Sequence, residues 1–102
     1  MADKHTLTID VLRDYAVDLS VPHEVEFTIV ADEPIDADAV QEFTQKNGMA
    51  YTVLHVDGLF MAELTRTMII TEPNVRPLSE MVERFSIENG WDYQGWGASS
   101  YK

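Results

Sequence analysis

The stretch MAYTVLHVDGLFMAELTRTMIIT, residues 49 to 71, decides which way the strands of this chain must face. At its centre Asp57-Gly58 is a favoured two-residue type I′ turn, so the stretch reads as one long hairpin. With that turn as pivot, Val56 opposes Leu59, Leu54 opposes Met61 and Thr52 opposes Glu63 on one face. On the other face His55 meets Phe60, Val53 meets Ala62 and Tyr51 meets Leu64. The hairpin tip is apolar on both sides, although only one side can pack against helices. A slip of one residue would exchange the two sets, so the reading depends on the register.

On the N-terminal side of the hairpin, EVEFTIVA (24–31) alternates Val25, Phe27 and Ile29 against Glu24, Glu26 and Thr28, the pattern of a half-buried strand. In DEPIDADAVQEFTQKNG (32–48), Asp36 can cap a helix that turns Ala39, Val40 and Phe43 inward. Gly48 suits the position just past its end. After a turn around Pro73-Asn74, RPLSEMVERFSIENG (76–90) repeats Leu78, Met81, Val82 and Phe85 at helical spacing, with Pro77 in the first turn. WDYQGWG (91–97) is the last strand. Its alternation puts Trp91 and Tyr93 on one face, and Trp96 joins them only if Gly95 marks a bulge. Before all of these, TIDVLRDYAVDLS (8–20) places Leu12, Tyr15, Ala16 and Leu19 at helical spacing, and Pro22 ends the segment.

The expected architecture is α+β, a ferredoxin-like βαββαβ sandwich. Two helices cover one face of a four-stranded antiparallel sheet, the first strand lies between the third and fourth, and an N-terminal helix precedes them. One domain is expected over residues 1–102, with an extension over 1–20 and a core over 24–98.

Charge is the informative part of the composition. Eighteen acids against seven bases leave a net charge of −11. From Asp14 to Glu42 the acids Asp14, Asp18, Glu24, Glu26, Asp32, Glu33, Asp36, Asp38 and Glu42 follow one another with no Lys or Arg between them. Such a surface repels a phosphate backbone, which excludes direct nucleic-acid binding as the expectation. A basic protein partner would be attracted instead, while solubility alone is the plain alternative. No signal-peptide core or membrane-length apolar run is visible, and a cytoplasmic address is expected.

Chemistry is sparse. The chain has no cysteine, which excludes disulfides, thiolate metal sites and thiol catalysis. His5, His23 and His55 share no helix face at metal-ligand spacing, and 32-DEPIDAD-38 lacks the glycine and closing glutamate of a calcium loop. None of the serines stands in a nucleophile elbow, and there is no phosphate-cradling glycine loop. Arg66 interrupts the presumed inner face of its strand, which suggests a buried carboxylate pair or a strand running out past the core. No catalytic residue, metal or cofactor is expected. What remains is surface: Leu54, Val56, Leu59 and Met61 would form an apolar patch beside Glu24 and Glu26. A partner or the chain's own N-terminal helix could cover it.

The segments VLRDYAVDLSVPHEVEFTIVADE (11–33), KNGMAYTVLHVDG (46–58) and MVERFSIENGWDYQGWGASSY (81–101) together resemble the RraB family, inhibitors of ribonuclease E. Members tend to carry a short N-terminal helix and a Leu-Ser, Pro and Glu-Val lead into the first strand, here Leu19-Ser20, Pro22 and Glu24-Val25. The start of their Gly-Tyr-x-Val second strand is loosely matched by Met49-Ala50-Tyr51. Their Tyr-Asp-Gly-Trp motif falls on Tyr93, Gln94, Gly95 and Trp96, with Gln94 in place of the aspartate. The resemblance implies a non-catalytic protein that binds ribonuclease E, an enzyme whose scaffold region holds arginine-rich RNA-binding segments. The expected contact residues are Asp14, Asp18, Glu24, Glu26, Asp32, Glu33, Leu54, Val56, Leu59, Met61 and Trp96. The alternative is an antitoxin-like or immunity-like acidic module for an unrelated basic protein.

Overall fold

The structure, a computed structural model, describes residues 21–99. In chain order it contains β1 (His23–Ala31), α1 (Ala37–Lys46), β2 (Ala50–Val56), β3 (Leu59–Met68), α2 (Glu72–Glu88) and β4 (Asp92–Ser99). Every strand pairing is antiparallel and the sheet order is β2-β3-β1-β4, so the first strand does lie between the third and fourth. The helix expected over residues 8–20, with Asp14 and Asp18, lies outside the described residues.

The hairpin takes the register read from its turn, with Leu54 opposite Met61 and Val53 opposite Ala62. Asp57 and Gly58 have φ of 49° and 81°, the two positive angles a type I′ turn requires. In α1 the Asp36 carboxylate accepts the backbone N–H groups of Asp38 and Ala39 at 3.0 and 3.3 Å, which satisfies donors the helix cannot. Thr44 is buried on this helix although it is polar. Its hydroxyl donates to the Val40 carbonyl at 2.9 Å, so burial leaves no unpaired donor.

The second helix starts earlier than expected, at Glu72 rather than near Pro77. Thr71 caps it, its hydroxyl oxygen accepting the Asn74 N–H at 3.2 Å. The Asn74 side-chain amide donates back to the Ile69 carbonyl at 2.8 Å. Pro73 occupies the first turn, where a missing N–H costs nothing. Pro77 therefore sits inside the helix, where its ring nitrogen cannot donate to the turn before it. The added turn also carries an ion pair, Glu72 to Arg76 at 3.0 Å.

Val25, Phe27 and Ile29 of β1 are fully buried, together with Ala62 and Leu64 of β3. Val40 of α1 and Val75, Leu78 and Val82 of α2 complete the same cluster. These strand residues share one face, so both helices pack on that side. Each large side chain removed from water there contributes roughly 1.5–3 kcal/mol before entropy is counted. Aromatic contacts tie the two helices to each other and to the residue before β4: Phe43 stacks on Phe85 at 4.3 Å, and Phe85 meets Trp91 edge-on at 5.5 Å.

The last strand carries the bulge on which Trp96 depends. Tyr93 pairs with Ile29 and Gly95 with Thr28, which leaves Gln94 as the extra residue. Gly95 has φ of +108°, a region closed to ordinary side chains. The bulge brings Trp96 opposite Phe27, on the same face as Tyr93. Trp91, Tyr93 and Trp96 all pack against the core, half-buried at its margin.

Candidate functional site

The side of the sheet turned away from the helices, here the outer face, is ordered in rows by cross-strand pairing. Leu54, Met61, Val30 and Asp92 form one row across all four strands. Neighbouring strands lie about 4.8 Å apart, so this row runs about 14 Å. The next row is Thr52, Glu63, Thr28 and Gly95, followed by Ala50, Thr65, Glu26 and Gly97. Thr67, Glu24 and Ser99 close the far end, while Val56 pairs with Leu59 beside the hairpin turn.

Leu54 and Leu59 are 39% and 43% exposed, and Met61 is half-buried, so three members of the expected apolar patch share this face. The patch lies beside the β1 face that carries Glu24 and Glu26, and the pairing fixes how far along the strand each falls. Val30, not Glu24 or Glu26, lies across from Met61. Because β1 runs antiparallel to β3, its C-terminal end meets the hairpin turn and its glutamates fall toward the opposite end. The carboxylate next along β3 is Glu63, which the sequence reading did not place in the site. Val30 and Asp92 were also missed. Extending the hairpin register across β1 would have found Val30.

The acidic run is dispersed rather than gathered. Glu24 and Glu26 stand on the outer face, Asp32 and Glu33 follow β1 near the turn end, and Asp36 and Asp38 serve the start of α1. Glu42 is exposed on α1. What does segregate is the positive charge. Among the described residues Lys46 lies on α1 and Arg76 and Arg84 on α2. Arg66 pairs with Val25, on the helix-facing side. It is exposed, and its guanidinium Nη1 donates to the Asn47 carbonyl at the α1 C-cap at 3.4 Å. The strand has thus run out past the core, and the cation sits where the helix dipole favours it. The outer face carries Glu24, Glu26, Glu63 and Asp92 and, among the described residues, no cation.

Between β1 and β4 the outer face sinks into a shallow trough of about 430 Å³. Glu26, Thr28, Val30 and Met61 border it on one side, and Gln94, Gly95, Trp96 and Gly97 on the other. Trp96 therefore edges the trough while its strand register keeps it with the core.

Tyr93, in the terminal motif, is structural. Its hydroxyl lies 2.7 Å from the buried Ser79 hydroxyl of α2, a hydrogen bond between helix and last strand. Burial pushes the Tyr93 hydroxyl up to about 12; the Ser79 contact opposes this and the nearby Glu83 carboxylate adds to it. His55 is exposed and stacked on Phe60 at 4.6 Å. No group of three or more metal-ligating side chains occurs among the described residues. No helix among them is long and apolar enough to cross a membrane.

Searches of curated proteins and of solved structures gave no significant match. The family model for RraB, regulator of ribonuclease activity B, matches residues 2–98, and the chain belongs to that family.

Proposed function

We propose that this chain is a non-catalytic regulator of ribonuclease E that acts by binding the enzyme's basic segments and competing there with RNA. Family membership across residues 2–98 is the observation that carries the reading. The charge distribution supplies a mechanism. A net charge of −11 attracts a cationic partner from a distance, and the outer face carries Glu24, Glu63 and Asp92 toward it. Leu54, Leu59 and Met61 add apolar contact at the turn end, with Asp32 and Glu33 near them and Glu24, Glu26 and Glu63 further along the sheet. Such a protein would work in the cytoplasm beside its target and needs no cofactor. The strand order, with β1 between β3 and β4 and both helices on one side, supports a ferredoxin-like sandwich as its frame.

The test is inhibition of ribonuclease E from the same organism, followed as cleavage of a short RNA while this protein is added. Raising salt from about 0.1 to 1 M shortens the Debye length from about 10 to about 3 Å. Dose-dependent inhibition that weakens over this range is expected. Salt-independent inhibition would move the contact to the apolar patch, and no effect on full-length enzyme or its scaffold region would reject the reading.

A further inference from the structure

The sheet order leaves two edge strands, β2 and β4, and the chain treats them differently. β4 is guarded as edges usually are. The extra residue at Gln94 and the positive φ of Gly95 break its regularity, and Asp92 places a charge at its start. β2 has none of these devices. It runs Ala-Tyr-Thr-Val-Leu-His-Val over seven residues with no proline and no charged side chain, and it pairs with β3 in one unbroken register. The other strands each carry a carboxylate (Glu24 on β1, Glu63 on β3, Asp92 on β4), so β2 is the uncharged strand of a chain whose net charge is −11. Its turn fixes where the backbone groups point. Val56 and Leu59 close the two-residue turn as a hydrogen-bonded pair, and such pairs alternate along an antiparallel ladder. Leu54 and Thr52 therefore turn N–H and C=O toward β3, while Tyr51, Val53 and His55 turn theirs outward. None of the turn, loop and cap hydrogen bonds among the described residues reaches these outward groups. Tyr51 and His55 are themselves exposed.

We infer that this edge pairs with the β2 edge of a second copy of the chain, antiparallel about a two-fold axis at Val53, so that two sheets join into one. Every outward residue is used in that register. Val53 faces Val53 of the second copy, and Tyr51 faces its His55 on either side of the axis, each pair exchanging both backbone hydrogen bonds. On the outer face Thr52 falls opposite Leu54 of the second copy. Charge decides the occupant. An arginine-rich segment finds no carboxylate on β2, and its attraction is to the acidic surfaces elsewhere. For two copies of net charge −11, the uncharged edge is the approach that meets least repulsion. The ends of the strand also complement each other. Lys46 and Arg66 stand at its start, where Arg66 donates to the Asn47 carbonyl and Thr65 pairs with Ala50, while Asp57 stands at the turn. Antiparallel pairing lays Asp57 of each copy opposite Met49 of the other, at the end that holds Lys46 and Arg66. This association goes beyond the regulator reading and does not depend on ribonuclease E.

The experiment follows the full chain alone by sedimentation velocity and amide hydrogen exchange, from about 1 μM to about 1 mM. A monomer–dimer equilibrium is expected within that range. Protection of the Tyr51, Val53 and His55 amides should rise with the dimer, while the Thr52 and Leu54 amides, already bonded to β3, change little. Thr52→Lys combined with Leu54→Lys sets ammonium opposite ammonium twice across the axis and should weaken pairing about tenfold. Thr52→Glu combined with Leu54→Lys sets opposite charges at the same positions and should restore it. A chain that stays monomeric throughout would overturn the inference, as would a lysine pair that dimerises like the native chain or a glutamate–lysine pair that fails to. Protection of Tyr51, Val53 and His55 that does not vary with concentration would show that the chain covers its own edge. An arginine-rich peptide that protects those amides in dilute chain would give the edge to the cationic partner instead. Either result overturns the second copy as occupant. The exchange pattern of the native chain decides the matter even where a variant folds poorly.

Discussion

Phe27 and Thr28 are neighbours in β1, and between them they show what the two faces of this sheet are for. Phe27 is fully buried against both helices, opposite Leu64 and Trp96. Thr28 is half-buried on the outer face, opposite Glu63 and Gly95. One face is filled with apolar side chains and closed by stacked aromatic rings. The other is lined with carboxylates and threonines and dips where glycines leave it bare. Stability is concentrated on the first, and the second is left free to answer to charge. Truncating Phe27→Ala should therefore cost about 3–5 kcal/mol, through lost burial and the cavity left behind. Thr28→Ala should stay within about 0.5 kcal/mol. Urea unfolding of both variants measures the contrast, and comparable losses at the two positions would break it.

A polar contact on the buried side gives the next largest effect. Tyr93→Phe removes the partner of the buried Ser79 hydroxyl and should cost about 1–2 kcal/mol. It should also change the alkaline limb of stability. The Tyr93 hydroxyl is pushed up to about 12 in the folded chain against 10.0 for the free side chain, so the folded state holds this proton more tightly. Its contribution is intact below pH 10 and is lost as pH rises from about 10 to about 12. Thermal unfolding across that window should show a decline in the native chain and a shallower one in Tyr93→Phe. Equal slopes would mean that the hydroxyl is not held as described.

These contrasts also mark what could be read in advance. The helix-facing side was legible because burial writes itself into alternation: Val25, Phe27 and Ile29 stand two apart, and Asp57-Gly58 pins the register that adds Ala62 and Leu64. Even the bulge was visible, since Gly95 is what allows Trp96 to join Tyr93. Helix α2 was misjudged at its start because two prolines four residues apart each suit a first turn. Thr71 capping Asn74 selects Pro73, and that is a three-dimensional choice. The outer face was legible only in part. The expected strand order sets β1 between β3 and β4 but leaves the register across them open, so Val30, Asp92 and Gly97 joined Glu63 only with the observed pairings. The sequence run of acids misled in the opposite direction, since residues adjacent in the chain are spread over a strand, a loop and a helix.

Gly97 allows the comparison to be sharpened from the outer side. If the position is kept open for a partner, the chain alone should gain from closing it. Gly97→Ala should raise stability by about 0.5–1 kcal/mol, because the new methyl meets no obstacle and the unfolded chain loses freedom. A loss of stability, read from the urea midpoint, would show that the glycine serves the fold after all and would place Gly97 with the packed face.

The smallest expected effect concerns the charge that separates the faces. Glu63 is flanked across the strands by Thr52 and Thr28, and its diagonal neighbour on β1 is Glu26. With a net charge of −11 on the chain, a carboxylate at this position is repelled by the rest of the molecule, over distances that salt screens. Glu63→Gln should therefore stabilise the free protein by a few tenths of a kcal/mol at low salt, and by nothing measurable at about 1 M. Its sign is what matters. A gain that vanishes with salt means that the chain tolerates self-repulsion on this face, as expected if a cationic partner relieves it. A loss would mean that Glu63 is already engaged within the chain, and the outer face would then be a second structural surface rather than a place for a partner.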